Sequence, residues 1–337
     1  EGRGGNSRDF IQIYKPWLDA AGMKIPTTLE EYRAYLEYVR DNDVDGDGNA
    51  ANEIPATSYP ASTTNINVLA AFVTPFMGVS GHVPYYIDKN DQIAYTYDKD
   101  AYREALYWIR DLVADGLLDP NSFTQDKASH DAMTNQDPNI LGSFLRFTNS
   151  ITDAERRNDW VVATSLAKDK DSQRYNAANQ TAAEGRWFIT SNCKYPEAAF
   201  LLGDYLCSQE IALTSNRGWE GVDWVQYDDY TGDKTKLINL IGRPVEECYV
   251  TGISERSKTA FNNHKLTMWG ASVLGANMKG SSAVASDAAD IDWQISTAEA
   301  GEIGAKHSTV ATTIDLVTFT EEEAQILSDC YTPIKSY

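Results

Sequence analysis

Residues Asp43 to Glu53 read DVDGDGNAANE, with the carboxylates of Asp43, Asp45 and Asp47 at alternate positions around Gly46 and Gly48. A hard cation such as calcium takes about 6 to 8 oxygen ligands, and an EF-hand-like loop supplies them from its first, third and fifth side chains, its seventh carbonyl and later carboxylates. In that register Asp43, Asp45 and Asp47 offer side chains, Asn49 its carbonyl, and Asn52 or Glu53 completes the shell. The glycines permit the tight turn. The plain alternative is an acidic surface turn, since Asp, Asn and Gly dominate ordinary turns. Such a turn has no need of D-x-D-x-D-G, and four like charges in one loop repel one another without a cation. The twelfth position from Asp43 is Ile54 rather than a bidentate Glu, so Glu53 must reach back. A shell filled by protein oxygens leaves no open position, which points to a structural ion and not a catalytic one.

Little else has metal or catalytic spacing. His82, His130, His264 and His307 are scattered. Cys193, Cys207, Cys248 and Cys330 form no C-x-x-C pair, so neither zinc nor a disulfide framework is signalled. G-x-S-x-G, the Walker loop and H-E-x-x-H are absent, and GRGG near the start lacks the strand and helix that a phosphate loop requires.

The elements that must position the acidic loop are legible. Thr28 and Glu31 form a capping box, and Leu29, Tyr32, Leu36 and Val39 then recur at helical spacing up to the aspartates. Thr64 to Met77 reads as a buried helix that Pro75 should end or kink, and Tyr85–Ile87 and Ile93–Tyr97 as a hairpin. Asp100 to Ala114 reads as an amphipathic helix on Tyr102, Leu106, Ile109 and Val113, closed by Gly116. Strands are expected at Ile140–Phe147, Trp160–Leu166 and Trp187–Ile189, with Pro196 opening a helix that runs to Cys207. Strands and helices alternate, which favours α/β lobes with helix-covered sheets. From Val222 to about Val317 periodicity is poor and long loops are expected, before a last helix capped by Thr320 and Glu323.

At 337 residues the chain suits two lobes. Its 29 basic and 49 acidic residues leave a net charge of -20, which repels phosphate backbones and anionic membranes, so no nucleic-acid partner is expected. No apolar run approaches the roughly 18 residues that span a bilayer.

IYKPWLDAAGMKIPTTLEEYRAYLEYVRDNDVDGDGNAANEIP resembles the oligosaccharide-binding branch of the ABC-importer solute-binding proteins. The resemblance rests on Trp17-Leu18-Asp19, Pro26 to Glu31, the acidic loop and Glu53-Ile54-Pro55. ALYWIRDLVADGLLDP, KYPEAAFLLGDYLCSQE and GWEGVDW add to it. It implies a periplasmic-binding-protein-like α/β fold, a two-lobed type II clamp that closes on an oligosaccharide without chemistry. Its partner would be the membrane permease of an ABC importer. It also implies structural calcium, a monomer, and an extracellular or cell-surface location with a lipid anchor. Family members carry further residues before the Trp-Leu-Asp helix, so this sequence is expected to lack much of the first lobe and the extreme C-terminus. The expected organisation is a linker over 1–7, a second-lobe region with its calcium loop (43–53) over 8–180, a returning first-lobe segment over 181–217, and a loop-rich and helical second-lobe region over 218–337.

Sugars present flat apolar faces ringed by hydroxyls, so a cleft needs aromatic platforms beside hydrogen-bonding side chains. Eight Trp and 19 Tyr are available. Trp219, Glu220 and Trp224 occupy the GWEGVDW turn, Arg186 and Trp187 head an expected strand, Arg146 and Phe147 end another, and Trp269 stands in HKLTMWGAS. Trp17 and Trp108 lie on helical stripes and are assigned to the core. Two other readings compete. A calcium-stabilised glycoside hydrolase needs two carboxyl groups roughly 5 to 9.5 Å apart across a cleft. A surface adhesion module would use the loop-rich acidity after Trp224.

Overall fold

The computed structural model describes residues 11–62, 65–81, 84–88, 90, 92–145, 150–180, 188–206, 208, 221, 224–226, 228–231, 233–234, 237–238, 245–249, 281–285, 289–312, 320–323, 325–326 and 329. The chain begins with β1 (Ile11–Tyr14), α1 (Lys15–Ala20), α2 (Leu29–Asp41), β2 (Ile54–Thr57), β3 (Pro60–Ser62), β4 (Asn65–Ile66) and α3 (Asn67–Met77). There follow β5 (Tyr85–Ile87), β6 (Ile93–Tyr95), α4 (Asp100–Ala114), α5 (Lys127–Thr134), β7 (Leu141–Leu145), α6 (Ala154–Arg157), β8 (Trp160–Ala163) and β9 (Asn176–Gln180). Beyond these lie α7 (Pro196–Leu206), β10 (Trp224–Gln226), β11 (Leu237–Ile238), β12 (Val245–Tyr249), β13 (Ser281–Ala285), α8 (Ile291–Lys306) and β14 (Ser308–Thr312).

The central sheet has the order β2-β7-β1-β8. β1 is antiparallel to both neighbours and β2 is parallel to β7, so β2, β7 and β8 run in one direction. Both faces are covered. Ile11, Ile13 and Leu145 pack with α2, α3 and α4 on one side. On the other, Leu141, Phe144 and Trp160 pack with Ile151, Met133 and Trp293. Double coverage explains why LGSFL and WVVA read as nearly continuous apolar runs rather than alternating ones.

The close seating of α2 on β7 has an identifiable cause. A Cβ at Gly142 would lie 2.8 Å from the Pro55 carbonyl oxygen and 3.0 Å from a Val39 methyl, distances at which the backbone or α2 would have to shift to admit a side chain. The Tyr35 hydroxyl then donates to the Gly142 carbonyl at 2.9 Å, and the Tyr32 hydroxyl shares a 2.8 Å hydrogen bond with Ser143. The expected stripe Leu29, Tyr32, Leu36, Val39 is buried in full, with Tyr35 added.

Other expectations need adjustment. On α4 the buried line is Tyr102, Ala105, Ile109 and Leu112, while Leu106 is exposed. α3 and α4 pack directly on each other, and the small Ala105 takes the inner position that Leu106 was expected to fill. α3 starts at Asn67, after β4, and Pro75 sits in its last turns. Phe188 and Ile189 are in no regular element, against the strand expected there; Trp187 lies outside the described residues. The region from Val222 to Val317 contains strands and the 16-residue α8, against the long loops expected. The Thr320 and Glu323 capping box is present, the Thr320 N–H donating to the Glu323 carboxylate at 2.9 Å. Among the described residues no helix is long and apolar enough to cross a membrane.

Candidate functional site

The acidic loop joins α2 to β2. Upstream, the Thr28 hydroxyl accepts the Glu31 N–H at 3.1 Å. The Glu31 carboxylate reaches back to the Thr27 N–H at 2.7 Å and the Thr27 hydroxyl at 2.8 Å. These bonds, the backbone one first, hold the Glu31 carboxyl below the usual range. Downstream, the Ile54 N–H donates to Ile140 at 2.8 Å and begins the β2–β7 ladder. Both ends of the loop are therefore fixed by the core.

Within the loop, Asp43 accepts the Gly46 and Gly48 N–H groups through its two oxygens, each at 2.9 Å. Gly46 has φ +78° and Gly48 φ +91°, a region L side chains rarely adopt, which explains why both positions are glycine. Asp45 accepts the Asp47 N–H at 3.0 Å, and Asp47 accepts that of Asn49 at 2.8 Å. One carboxylate oxygen from each of Asp43, Asp45 and Asp47 lies within 4.8 Å of the others.

Further oxygens gather beside this triad in the loop. Glu53 is 8% exposed, and one of its oxygens accepts the Val44 N–H at 3.0 Å, so it does fold back over the loop's start. The other Glu53 oxygen, one Asp45 oxygen and the Asn52 amide oxygen are buried without a hydrogen-bond partner. Buried oxygens normally find donors, and leaving one unpaired costs about 1–3 kcal/mol. A hard cation would supply what these oxygens lack, so the donor set fits a divalent ion. The Asn49 carbonyl accepts the Asn52 N–H at 3.4 Å, and the Asn52 amide donates to Asp47 at 2.7 Å.

A second polar region lies at the carboxyl ends of β2, β7 and β8, where open α/β sheets bind ligands. After β2, the Ser58 hydroxyl donates to the Leu145 carbonyl at 3.2 Å, and its N–H donates to Ser122 at 3.0 Å. Thr57 donates to Asp119 at 3.0 Å and accepts from Gln125 at 2.9 Å. After β8, Arg174 clamps the Ser165 and Thr164 carbonyls at 2.7 and 2.9 Å. Burial lowers the pKa of this guanidinium, an effect that Glu31 opposes. Ser165 has φ +53°, and the hydroxyls of Thr164 and Ser165 are buried with no partner. Sequence reading did not single out these hydroxyls, because isolated Ser and Thr carry no periodic signal.

Of the aromatic candidates, Trp17 is buried in the main core and Trp108 packs against Phe72 at 4.9 Å between ring centroids, as expected. Trp224 opens β10. Arg146, Phe147, Arg186, Trp187, Trp219, Glu220 and Trp269 lie outside the described residues.

No family model matches the chain. Over 123 residues, 36% of this chain and 22% of the relative, it is 30% identical to the fructooligosaccharide ABC transporter substrate-binding protein FusA of Streptococcus pneumoniae. The whole chain superposes on 66% of an extracellular solute-binding protein from Bifidobacterium longum subsp. infantis, with TM-score 0.66 and 17% identity. It likewise superposes on 65% of an S. pneumoniae FusA EF-hand mutant in complex with fructo-nystose, with TM-score 0.60 and 17% identity. The chain thus spans just under two thirds of the solved proteins it matches. These likenesses show the α/β fold of the solute-binding proteins, the periplasmic-binding-protein-like class.

Proposed function

We propose that this protein is the extracytoplasmic substrate-binding component of an ABC importer, capturing an oligosaccharide and delivering it to a membrane permease without chemistry. The observation that carries this reading is the 30% identity to a substrate-binding protein curated for fructooligosaccharide. The fold agrees, and the net charge of -20 suits a neutral ligand better than a phosphate-bearing one. The carboxyl edge of β2, β7 and β8 would form one wall of the cleft. Arg146, Phe147, Arg186, Trp187, Trp219, Glu220, Trp224 and Trp269 are the proposed sugar contacts. In this reading residues 8–180 and 218–337 build one lobe, 181–217 return to the other, and the protein works as a lipid-anchored monomer outside the cell.

We also propose that Asp43, Asp45, Asp47, Asn49, Asn52 and Glu53 hold a structural calcium ion. Bound there, the ion would neutralise the clustered carboxylates and tie the end of α2 to the start of β2. The existence of an EF-hand mutant of FusA supports a cation loop in that relative, and the unpaired oxygens support one here.

Isothermal titration of the full-length protein against a panel of neutral oligosaccharides tests the main reading. Saturable heat with at least one sugar, without release of reducing ends, is expected. Release of reducing ends would favour a calcium-stabilised glycoside hydrolase, and silence across the panel would refute sugar capture.

A further inference from the structure

α7 reads PEAAFLLGDYL, and Gly203 is the one residue of it that is buried. Phe200 is 63% exposed, Leu201 65%, Leu202 50% and Tyr205 50%. Single apolar residues on a surface are ordinary, but a contiguous group on one element marks a contact. The helix also lacks a source of stability. Pro196 and Glu197 favour its start, yet 11 residues are too few to hold a helix in water, where isolated helices shorter than about 12–15 residues are marginal. Short helices persist through tertiary packing, and α7 has almost none within this chain.

Helix geometry says where the missing packing belongs. Glu197 and Asp204 are seven residues apart and so lie in line, two turns from each other. At roughly 100° per residue, Leu201, Tyr205, Leu202 and Leu206 follow one another around the side away from that acidic line. α7 therefore has the pattern of a core helix: a narrow acidic line for water and an apolar sector wider than half its circumference.

Three occupants could cover such a sector. A lipid surface is disfavoured, because helices that lie on membranes carry Lys and Arg on their polar face, and here that face is Glu197 and Asp204 in a chain of net charge -20. A second copy of the chain would bury only a seam, since two helices meeting across a two-fold axis cover a narrow stripe of each other. A layered α/β lobe covers more, by seating a helix on a sheet between neighbouring elements. The material for that layer has a source. The whole chain superposes on 66% of a solute-binding protein, so a third of that fold has no counterpart in these residues.

We propose that α7 is a core helix of the other lobe, its apolar sector packed against the part of the full-length protein that corresponds to that third, with Glu197 and Asp204 left facing water. This rests on the two-lobed reading above and deepens it by assigning the surface through which residues 181–217 join the other lobe.

The test uses the full-length protein without ligand. Hydrogen exchange read by mass spectrometry needs no variant, and peptides spanning 196–206 are expected to be protected about 100-fold or more over an unstructured chain. Leu201→Ala and Tyr205→Ala should each lower the melting midpoint by about 5 °C or more, as loss of a buried side chain does. Asp204→Ala should leave the midpoint within about 2 °C of wild type, as a surface change does. Exchange at the rate of an unstructured chain, or midpoint losses at Leu201 and Tyr205 no larger than at Asp204, overturns the proposal. Protection that rises with protein concentration overturns it as well, by assigning the sector to a second copy. None of these outcomes touches the sugar titration, and a silent titration beside a protected α7 would remove sugar capture while leaving the packing in place.

Discussion

The Ser296 hydroxyl accepts the backbone N–H of Val162 at 2.8 Å, joining α8 to the edge strand β8 across the chain. Edge strands carry backbone donors that the sheet cannot satisfy, and here a helix covers the edge and satisfies one. Ser296→Ala would leave that buried donor unpaired, at a cost of about 1–3 kcal/mol. A urea midpoint within error of wild type, at unchanged slope, would rule this out.

Gly142→Ala should be more damaging than its single methyl group implies. The new Cβ would meet the Pro55 carbonyl at 2.8 Å and Val39 at 3.0 Å, and neither the sheet nor α2 can yield freely. Overpacking of this kind costs about 1–3 kcal/mol. The measurement is thermal unfolding, with a lowered midpoint expected.

Calcium at about 100 times its dissociation constant should stabilise the protein by about 2.7 kcal/mol relative to chelated protein. Asp45→Asn should erase most of that difference, because Asp45 contributes both to the triad and to the unpaired oxygens. The proposed ion site fails if melting temperature is indifferent to verified metal removal.

Glu31 should impart a pH dependence to stability. Its folded pKa lies below its ordinary value of 4.5, because it accepts from the Thr27 backbone and hydroxyl. The stabilisation is thus complete above the unfolded pKa and disappears as pH falls through the folded one. Glu31→Gln should melt slightly lower than wild type at neutral pH, because glutamine keeps an acceptor for Thr27 but loses the charge, and the exposed site screens what the charge contributes. The two curves should converge in acid, and a constant gap down to low pH would contradict the assignment.

Trp17 and Trp219 should fail in different ways. Trp17 is buried in the core, so Trp17→Ala should lose about 3–5 kcal/mol of stability. Trp219→Ala should leave the melt near wild type and weaken sugar binding. Calorimetry on both variants separates the cases, and equal melting losses would overturn the proposed sugar contact at Trp219.

Much of the first half was legible in the residues themselves. α2 combines a Thr28 cap, an apolar stripe and a stop at the aspartates, all local signals, and its bounds and buried face follow from them. The acidic loop was equally readable, because ligand spacing and the two glycines lie within a few residues of one another. α4 shows the limit: its span was clear, but which of Ala105 and Leu106 faces inward depended on how closely α3 approaches.

The sequence by itself determined the α/β character, the capped helix and the oxygen-rich loop, since each depends on residues near one another along the chain. Tertiary structure alone decided α8. Its Asp292 and Trp293 N–H groups are capped by the Asn158 side chain at 3.1 and 3.4 Å, and Arg157 pairs with Asp290 at 2.9 Å. Its packing face mixes the buried Gln294, Ser296 and Ala300 with Trp293 rather than forming a continuous apolar stripe. A helix that borrows its cap and its hydrogen-bond partners from more than a hundred residues away leaves no periodic trace in its own sequence. The same holds for the ring contacts of Tyr97 with Tyr95 and Tyr102, which form only when the hairpin β5–β6 closes onto α4.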